Sequence, residues 1–162
     1  MVVRRSHGYS LVELMVVVAM VGILAGATLP LGSLWVNGAK LAKVEGALTQ
    51  AVGKAKSAAI RNSHNTVAGQ PVAMVCLTNT ELSVRQSSNS AGPSCGVTPT
   101  GFEAWRAELL SEVSISSGDD AVSCICFNSY GMLNTAGVCS GCLSDNPVNL
   151  EVGSKNESLY IF

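Results

Sequence analysis

The sequence predicts an α+β protein in which one long N-terminal helix packs on a mostly antiparallel β-sheet head. Three observations predict this class. An apolar run without charge extends from Leu14 to Leu31, and an amphipathic helical pattern continues from there to Arg61. The remainder consists of short segments rich in β-branched residues, separated by clusters of turn residues. We therefore expect four parts, which are residues 1–8, 9–31, 32–62 and 63–162.

Residues 1–8 form a short basic segment that ends in Gly8. Arg4 and Arg5 lie ahead of the apolar run, whereas a secretory signal peptide places its apolar core before the cleavage site. Cleavage after Gly8 would therefore retain the helix and leave Tyr9 as the new N-terminus. The two arginines favour a cytoplasmic N-terminus, so the rest of the chain is expected to be exported.

Residues 9–31 are predicted to cross a membrane once. About 20 apolar residues, at about 1.5 Å per helical residue, match the roughly 30 Å hydrocarbon core of a bilayer. Gly22 and Pro30 interrupt this segment. Because proline removes a backbone donor and clashes with the preceding turn, a helix kink is predicted there. The alternative is that the membrane helix accommodates both residues without bending.

Glu13 is the one charged residue between Gly8 and Leu31. A carboxylate one turn into a membrane helix costs roughly 2.5–3.5 kcal/mol on insertion scales, so such residues usually have a partner. The sequence therefore predicts a cationic partner for Glu13. The alternative is that Glu13 lies at the membrane surface and stays hydrated.

The junction resembles the class III leader of type IV prepilins and pseudopilins, with matches at Gly8, Leu11, Glu13, Gly22 and Pro30. The resemblance implies a pilin-like fold, cleavage after Gly8 by prepilin peptidase and methylation of the Tyr9 α-amine. It also implies that this amine pairs with Glu13 of an adjoining subunit. Tyr9 stands where the family usually has Phe.

The same resemblance implies partners and a location. The partners are other pilin subunits, major and minor, bound through the N-terminal helix. The protein would lie in the inner membrane before assembly, and then in an extracellular or periplasmic filament, at the tip of a pilus.

Residues 32–62 show an apolar stripe at helical spacing, which predicts that this half of the helix rests on the head. Its members are Leu34, Leu41, Val44, Leu48, Val52, Ala55 and Ala59. The opposite side is polar and mostly basic, with Lys40, Lys43, Gln50, Lys54 and Arg61.

Residues 63–162 are predicted to form a β-rich head with strands at 72–77, 82–86, 102–107, 113–116, 122–128, 148–152 and 159–162. Residues 87–99 are predicted to be a surface loop, which serves either as a plain connection or for recognition. Residues 48–61 with 71–76, and residues 126–133, look like the corresponding segments of the FimU/FimT/GspH group of minor pilins and pseudopilins. That likeness implies a low-copy subunit that primes filament assembly.

Six cysteines follow the helix, at positions Cys76, Cys95, Cys124, Cys126, Cys139 and Cys142. Export favours disulfides, and the spacing favours Cys76 with Cys95 and the other four among themselves. One alternative is a zinc ribbon, because the C-x-C and C-x-x-C pairs have nearly the required spacing. The other is a redox C-x-x-C pair at Cys139 and Cys142.

Composition argues against an enzyme, and no cofactor or metal is predicted. After loss of residues 1–8, the formal charge falls from −1 to −3 and His64 is the single histidine left. The chain has no nucleophile elbow, P-loop or HExxH motif. Asp119 and Asp120 suggest an acidic turn rather than a calcium site, and Trp105 suggests a core residue rather than a ligand platform.

Two classes of function are consistent with the sequence. The first is a structural minor pilin that initiates or caps a type IV pilus, with a pseudopilin of a type II secretion system as its close alternative. The second is a binding module whose head captures DNA or adheres to a surface. DNA capture has weak support, because Arg85, Arg106 and Lys155 are the head's cationic residues after Arg61 and are widely spaced in the sequence.

Overall fold

The structure is a computed structural model that describes residues 8–78, 80–90, 92–96, 99–109, 113–135, 139 and 141–161. The side chains of residues 27–34 are also outside the description, which leaves out Leu34 of the predicted stripe and the Pro30 side chain. Arg4, Arg5 and His7 lie outside the described residues. The chain divides into two compact units, residues 1–36 and 37–162.

One helix and eight strands make up the described secondary structure. The helix α1 is Leu11–Arg61, and the strands are β1 (Ala73–Leu77), β2 (Glu81–Gln86), β3 (Phe102–Glu108), β4 (Val113–Ser117), β5 (Asp120–Ala121), β6 (Cys124–Phe127), β7 (Val148–Val152) and β8 (Lys155–Leu159). Helix α1 ends where Asn62 adopts φ 36°, a left-handed conformation that asparagine tolerates at a helix C-terminus.

The first unit contains the N-terminal part of α1, and its apolar side chains between Leu11 and Leu24 are exposed on every side of the helix. Gly22 and Pro30 both lie within α1. The predicted kink stays a prediction. Among the described residues, no helix has both the length and the apolarity needed to cross a membrane.

The apolar stripe of residues 37–61 is buried in the second unit, as the sequence predicts. Its buried members are Leu41, Val44, Leu48, Ala51, Val52, Ala55, Ala58 and Ala59. These side chains join the main core with apolar side chains from both sheets. On the polar side, Lys43, Lys54 and Arg61 are exposed.

The strands form two four-stranded sheets, in the orders β3-β2-β1-β6 and β5-β4-β7-β8. Every strand pair is antiparallel. The predicted α+β class, with a helix packed on a mostly antiparallel sheet, is therefore confirmed. In the second sheet Val113, Ile115, Val148, Leu150 and Val152 are buried and alternate with less buried residues, which is the period of two of a strand with one buried face.

Strand β1 differs from that alternation, because all five of its residues are buried. Ala73, Val75 and Leu77 face the main core, whereas Met74 and Cys76 belong to a second cluster. That cluster contains Met74 and all six cysteines, with Cys95 and Cys124 partly buried. The first sheet thus has helix and apolar core on one face and sulfur-rich packing on the other.

Two of the expected strands differ from the structure by more than one residue at an end. The last strand is Lys155–Leu159 rather than 159–162, because a turn at Gly153 and Ser154 folds this segment back on β7. Both faces of this edge strand are largely exposed, so the sequence lacks the apolar alternation that marks a strand. Within the expected strand 122–128 the structure has only β6, Cys124–Phe127, and the short strand β5 precedes that range.

Candidate functional site

The N-terminal candidate site begins with Gly8 and Tyr9, which precede α1 in an exposed non-helical segment. The Tyr9 side chain is 83% exposed. Ser10 caps the helix, since its Oγ accepts a hydrogen bond from the Glu13 backbone N–H at 3.3 Å. The peptide bond after Gly8 is therefore accessible, and the helix starts two residues beyond Tyr9.

Glu13 occupies the third position of α1, in the pattern Ser-x-x-Glu of a capping box. A negative side chain is favoured there by the helix dipole. Sequence reasoning considered Glu13 as a charge within the membrane or at its surface and missed this local role, although the capping pattern was visible. Tyr9, Glu13, Leu14 and Val17 line a shallow groove of about 270 Å³ on one side of the helix.

The cysteine cluster is the second candidate site. Disulfides join Cys76 to Cys95, Cys124 to Cys142 and Cys126 to Cys139. The structure thus joins the pair that the spacing favoured and joins the other four within their own group. Cys139 and Cys142 are joined to different partners on β6 rather than to each other, unlike a redox C-x-x-C pair.

The sulfurs of the four clustered cysteines lie close together. Cys126 Sγ is 3.6 Å from Cys142 Sγ, although these two residues belong to different disulfides. The sulfurs of Cys126, Cys139 and Cys142 all lie within 4.8 Å of one another, and all three residues are buried. In their disulfide form these atoms are not thiolates, so they cannot act as thiolate ligands of a metal.

A network of charges lies on the first sheet, between β2 and β3. Glu103 pairs with Arg85 at 3.1 Å and with Arg106 at 2.8 Å, while Arg106 also contacts Glu81 at 3.3 Å. The hydrogen bond from Arg106 lowers the pKa of the Glu103 carboxyl, and the charges of Arg106 and Arg85 act in the same direction, while burial opposes them. The same hydrogen bond raises the pKa of Arg106.

This network bears on the DNA hypothesis. Arg85 and Arg106 are distant in sequence but converge on Glu103, because β2 and β3 are paired with Arg85 opposite Glu103. Sequence reasoning missed this carboxylate. Their charges are compensated by carboxylates, which disfavours their use as phosphate contacts.

The other residues considered in the sequence are a histidine, a tryptophan, two aspartates and the segment 87–99. His64 is exposed, and its Nδ1 lies 3.1 Å from Ser63 Oγ. Trp105 is half-buried against the main core. Asp119 is exposed in the turn between β4 and β5, and Asp120 is exposed at the start of β5. In the segment predicted as a surface loop, described at residues 87–90, 92–96 and 99, Cys95 is joined to Cys76 of β1.

Comparison with known proteins identifies the N-terminal segment. Residues 3–29 match the family model described as the prokaryotic N-terminal methylation motif. Searches of curated proteins and of solved structures each found no match. The motif points to a structural protein rather than an enzyme, and to processing by prepilin peptidase and assembly with other pilins in general. The chain therefore carries a prepilin-type N-terminus, which supports a type IV pilin-like or pseudopilin protein.

Proposed function

We propose that this protein is a minor pilin of a type IV pilus, similar to the FimU/FimT/GspH group, which initiates or caps the filament at its tip. The observation that carries the proposal is the motif at residues 3–29, placed where Gly8 and Tyr9 are exposed directly before a capped helix. A peptidase needs an accessible peptide bond, and filament packing needs an intact helix behind it. The N-terminal segment offers both.

In this proposal, residues 1–8 are removed and Tyr9 is methylated. Residues 9–31 anchor the protein in the inner membrane before assembly and pack in the filament afterwards, with a bend at Gly22 and Pro30. The side chains of Leu11–Leu24 support this role, because a helix that is apolar on all sides suits a membrane or a packed bundle. Residues 32–62 carry the amphipathic half of the helix, and residues 63–162 form the exposed head.

Glu13 is the proposed assembly residue. Its side chain is exposed, and it lines one groove together with Tyr9 and Val17. After cleavage, the Tyr9 α-amine would place a positive charge at the positive end of the helix dipole, where it is unfavourable. A carboxylate from Glu13 of an adjoining subunit would compensate that charge during assembly.

The test is the intact mass of the protein recovered, without reduction, from filaments sheared off the cell surface. We expect a chain that begins at Tyr9, carries one added methyl group and lacks the six hydrogens removed by three disulfides. Retention of residues 1–8 in membrane-bound protein would refute the proposal. Processed protein that stays out of sheared filaments while secretion depends on it would favour a pseudopilin.

Matched variants make this test specific. Glu13→Gln is expected to be cleaved but absent from filaments, whereas Glu45→Gln, a charge change elsewhere on α1, is expected to enter them normally. Gly8→Val is expected to block cleavage. A Cβ at Gly8 meets no atom within 4 Å, so this block would report recognition by the peptidase rather than misfolding.

A further inference from the structure

The four cysteines of residues 124–142 converge because two separate local structures aim them at one place. Antiparallel pairing of β6 with β1 sets Cys124 opposite Cys76 and Cys126 opposite Met74, so both C-x-C sulfurs lie on the face away from the main core. Cys139 and Cys142 are held by a turn in which the Cys142 N–H donates to the Cys139 carbonyl at 3.0 Å. Gly141 adopts φ 85° within it.

Three of the four sulfurs, those of Cys126, Cys139 and Cys142, already have nearly the spacing of ligands in a four-thiolate metal site. A tetrahedral zinc ion with Zn–S bonds of about 2.3 Å holds its sulfurs about 3.8 Å apart. Cys126 and Cys142 already lie 3.6 Å apart, and Cys139 lies within 4.8 Å of both. Cys124 is bonded to Cys142, so its sulfur borders the same group. Breaking the two disulfides would let each bonded pair separate by about 1.8 Å, which side-chain rotation can provide.

We propose that the reduced form of this protein binds one Zn²⁺ through Cys124, Cys126, Cys139 and Cys142, and that formation of the two disulfides releases it. Soft thiolates in a closed tetrahedral set favour zinc over magnesium or calcium. Binding would displace the four thiol protons and would fix the segment between β6 and Cys142 before oxidation. The proposal concerns the head alone and is independent of the pilin function.

The redox step balances with a disulfide as oxidant. Two molecules of the disulfide oxidant accept four electrons from the protein, take up four protons from solvent and become four thiols. The four protein thiolates lose those electrons, form the Cys124–Cys142 and Cys126–Cys139 bonds, and release Zn²⁺. Each ion is thus exchanged for two disulfides, and the fully oxidised protein is not expected to bind zinc through these sulfurs.

The probe is Co²⁺, which reports its ligands by absorption. We expect the reduced full-length Cys76→Ala/Cys95→Ala variant to bind one equivalent of Co²⁺, with an intense sulfur-to-cobalt charge-transfer band and the visible bands of tetrahedral cobalt. Zn²⁺ should abolish both signals. Oxidised glutathione added to the zinc form should release one zinc ion for every two disulfides formed, measured with a chelating dye.

Two controls keep the proposal falsifiable. Reduced wild-type protein should give the same spectrum, which removes any effect of the alanine substitutions. Adding Cys126→Ala and Cys142→Ala to the Cys76→Ala/Cys95→Ala variant should abolish the charge-transfer band of the reduced protein. The proposal is overturned if the reduced wild type gives no such band, whether it folds or not. An octahedral cobalt spectrum would also overturn it, as would a band that survives removal of Cys126 and Cys142.

Discussion

The sulfurs of Cys126 and Cys142 are in contact although they belong to different disulfides, which predicts that they bond to each other when their native partners, Cys139 and Cys124, are removed. In Cys124→Ala/Cys139→Ala, the remaining Cys126 and Cys142 sulfurs start 3.6 Å apart and need to approach by only about 1.5 Å to reach a bond length. We expect them to form a disulfide that the wild type lacks. The controls are Cys126→Ala/Cys139→Ala and Cys124→Ala/Cys142→Ala, which each keep one native bond.

The magnitude follows from loop length. The new bond would span a separation of 16 residues, between the 18 and 13 of the two native bonds. In the chain-entropy account each such loop contributes about 3 kcal/mol to the free energy of unfolding, and these three lengths differ by only about 0.3 kcal/mol. All three double variants should therefore lose about the same stability relative to the wild type.

The assay has two parts. Non-reducing peptide mass mapping identifies the bond, and guanidinium unfolding in detergent, followed by Trp105 fluorescence in a Trp35→Phe background, measures stability. Free thiols at Cys126 and Cys142 in the folded, oxidised variant would refute the proximity argument. A bond that forms but leaves the variant about 3 kcal/mol less stable than the controls would show that its geometry is strained.

The folded protein lowers the pKa of Glu103, so the contribution of this carboxylate to stability is present above the ordinary value of 4.5 and is lost as the pH falls below it. Glu103→Gln should therefore make the free energy of unfolding fall less steeply with decreasing pH. An unchanged pH dependence would contradict this. Gly92 and Gly69 share φ 85°, but a Cβ at Gly92 would lie 2.6 Å from the Pro71 carbonyl oxygen, whereas Gly69 is open. Gly92→Ala should therefore destabilise by about 1–3 kcal/mol more than Gly69→Ala in thermal unfolding, and equal losses would contradict the clash. Trp35 is 84% exposed and follows the apolar run by about 6 Å along the helix, which places it near the headgroups if residues 9–31 cross a membrane. In vesicles, lipids brominated near the headgroup should therefore quench the fluorescence of Trp35 in a Trp105→Phe variant. The fluorescence of Trp105 in a Trp35→Phe variant should stay unquenched. An unquenched Trp35 in vesicle-bound protein would contradict membrane placement of residues 9–31.

The helix and most strands could be predicted because their burial repeats along the chain. Leu41, Leu48 and Ala55 recur at seven residues on one helix face, and Val148 and Leu150 alternate along β7. Such periodic patterns arise from a single buried face. The strand β8 escaped prediction because it is an exposed edge, held by its backbone hydrogen bonds to β7.

The candidate site was predictable in parts that are local in sequence. The Gly8 junction and the separation of Cys76 and Cys95 from the other cysteines are visible without a fold. Sequence could not show that Arg85, Glu103 and Arg106 meet, because their contact depends on the register of β2 against β3. Nor could it show the burial of Met74 and Cys76 on the outer face of β1, since that face is covered by residues distant along the chain.

The structure also determines how an experiment at Glu13 should be interpreted. The hydrogen bond that caps α1 joins the backbone N–H of Glu13 to Ser10 Oγ, so it does not need the carboxylate. Glutamine serves as well as glutamate in a capping box, and Glu13→Gln therefore removes the charge while keeping the cap. Ser10→Ala does the reverse, at a cost of about 1 kcal/mol to the helix. If assembly depends on the charge, filaments should be lost in Glu13→Gln and retained in Ser10→Ala. The opposite result would show that assembly depends on the helix cap rather than on the Glu13 charge.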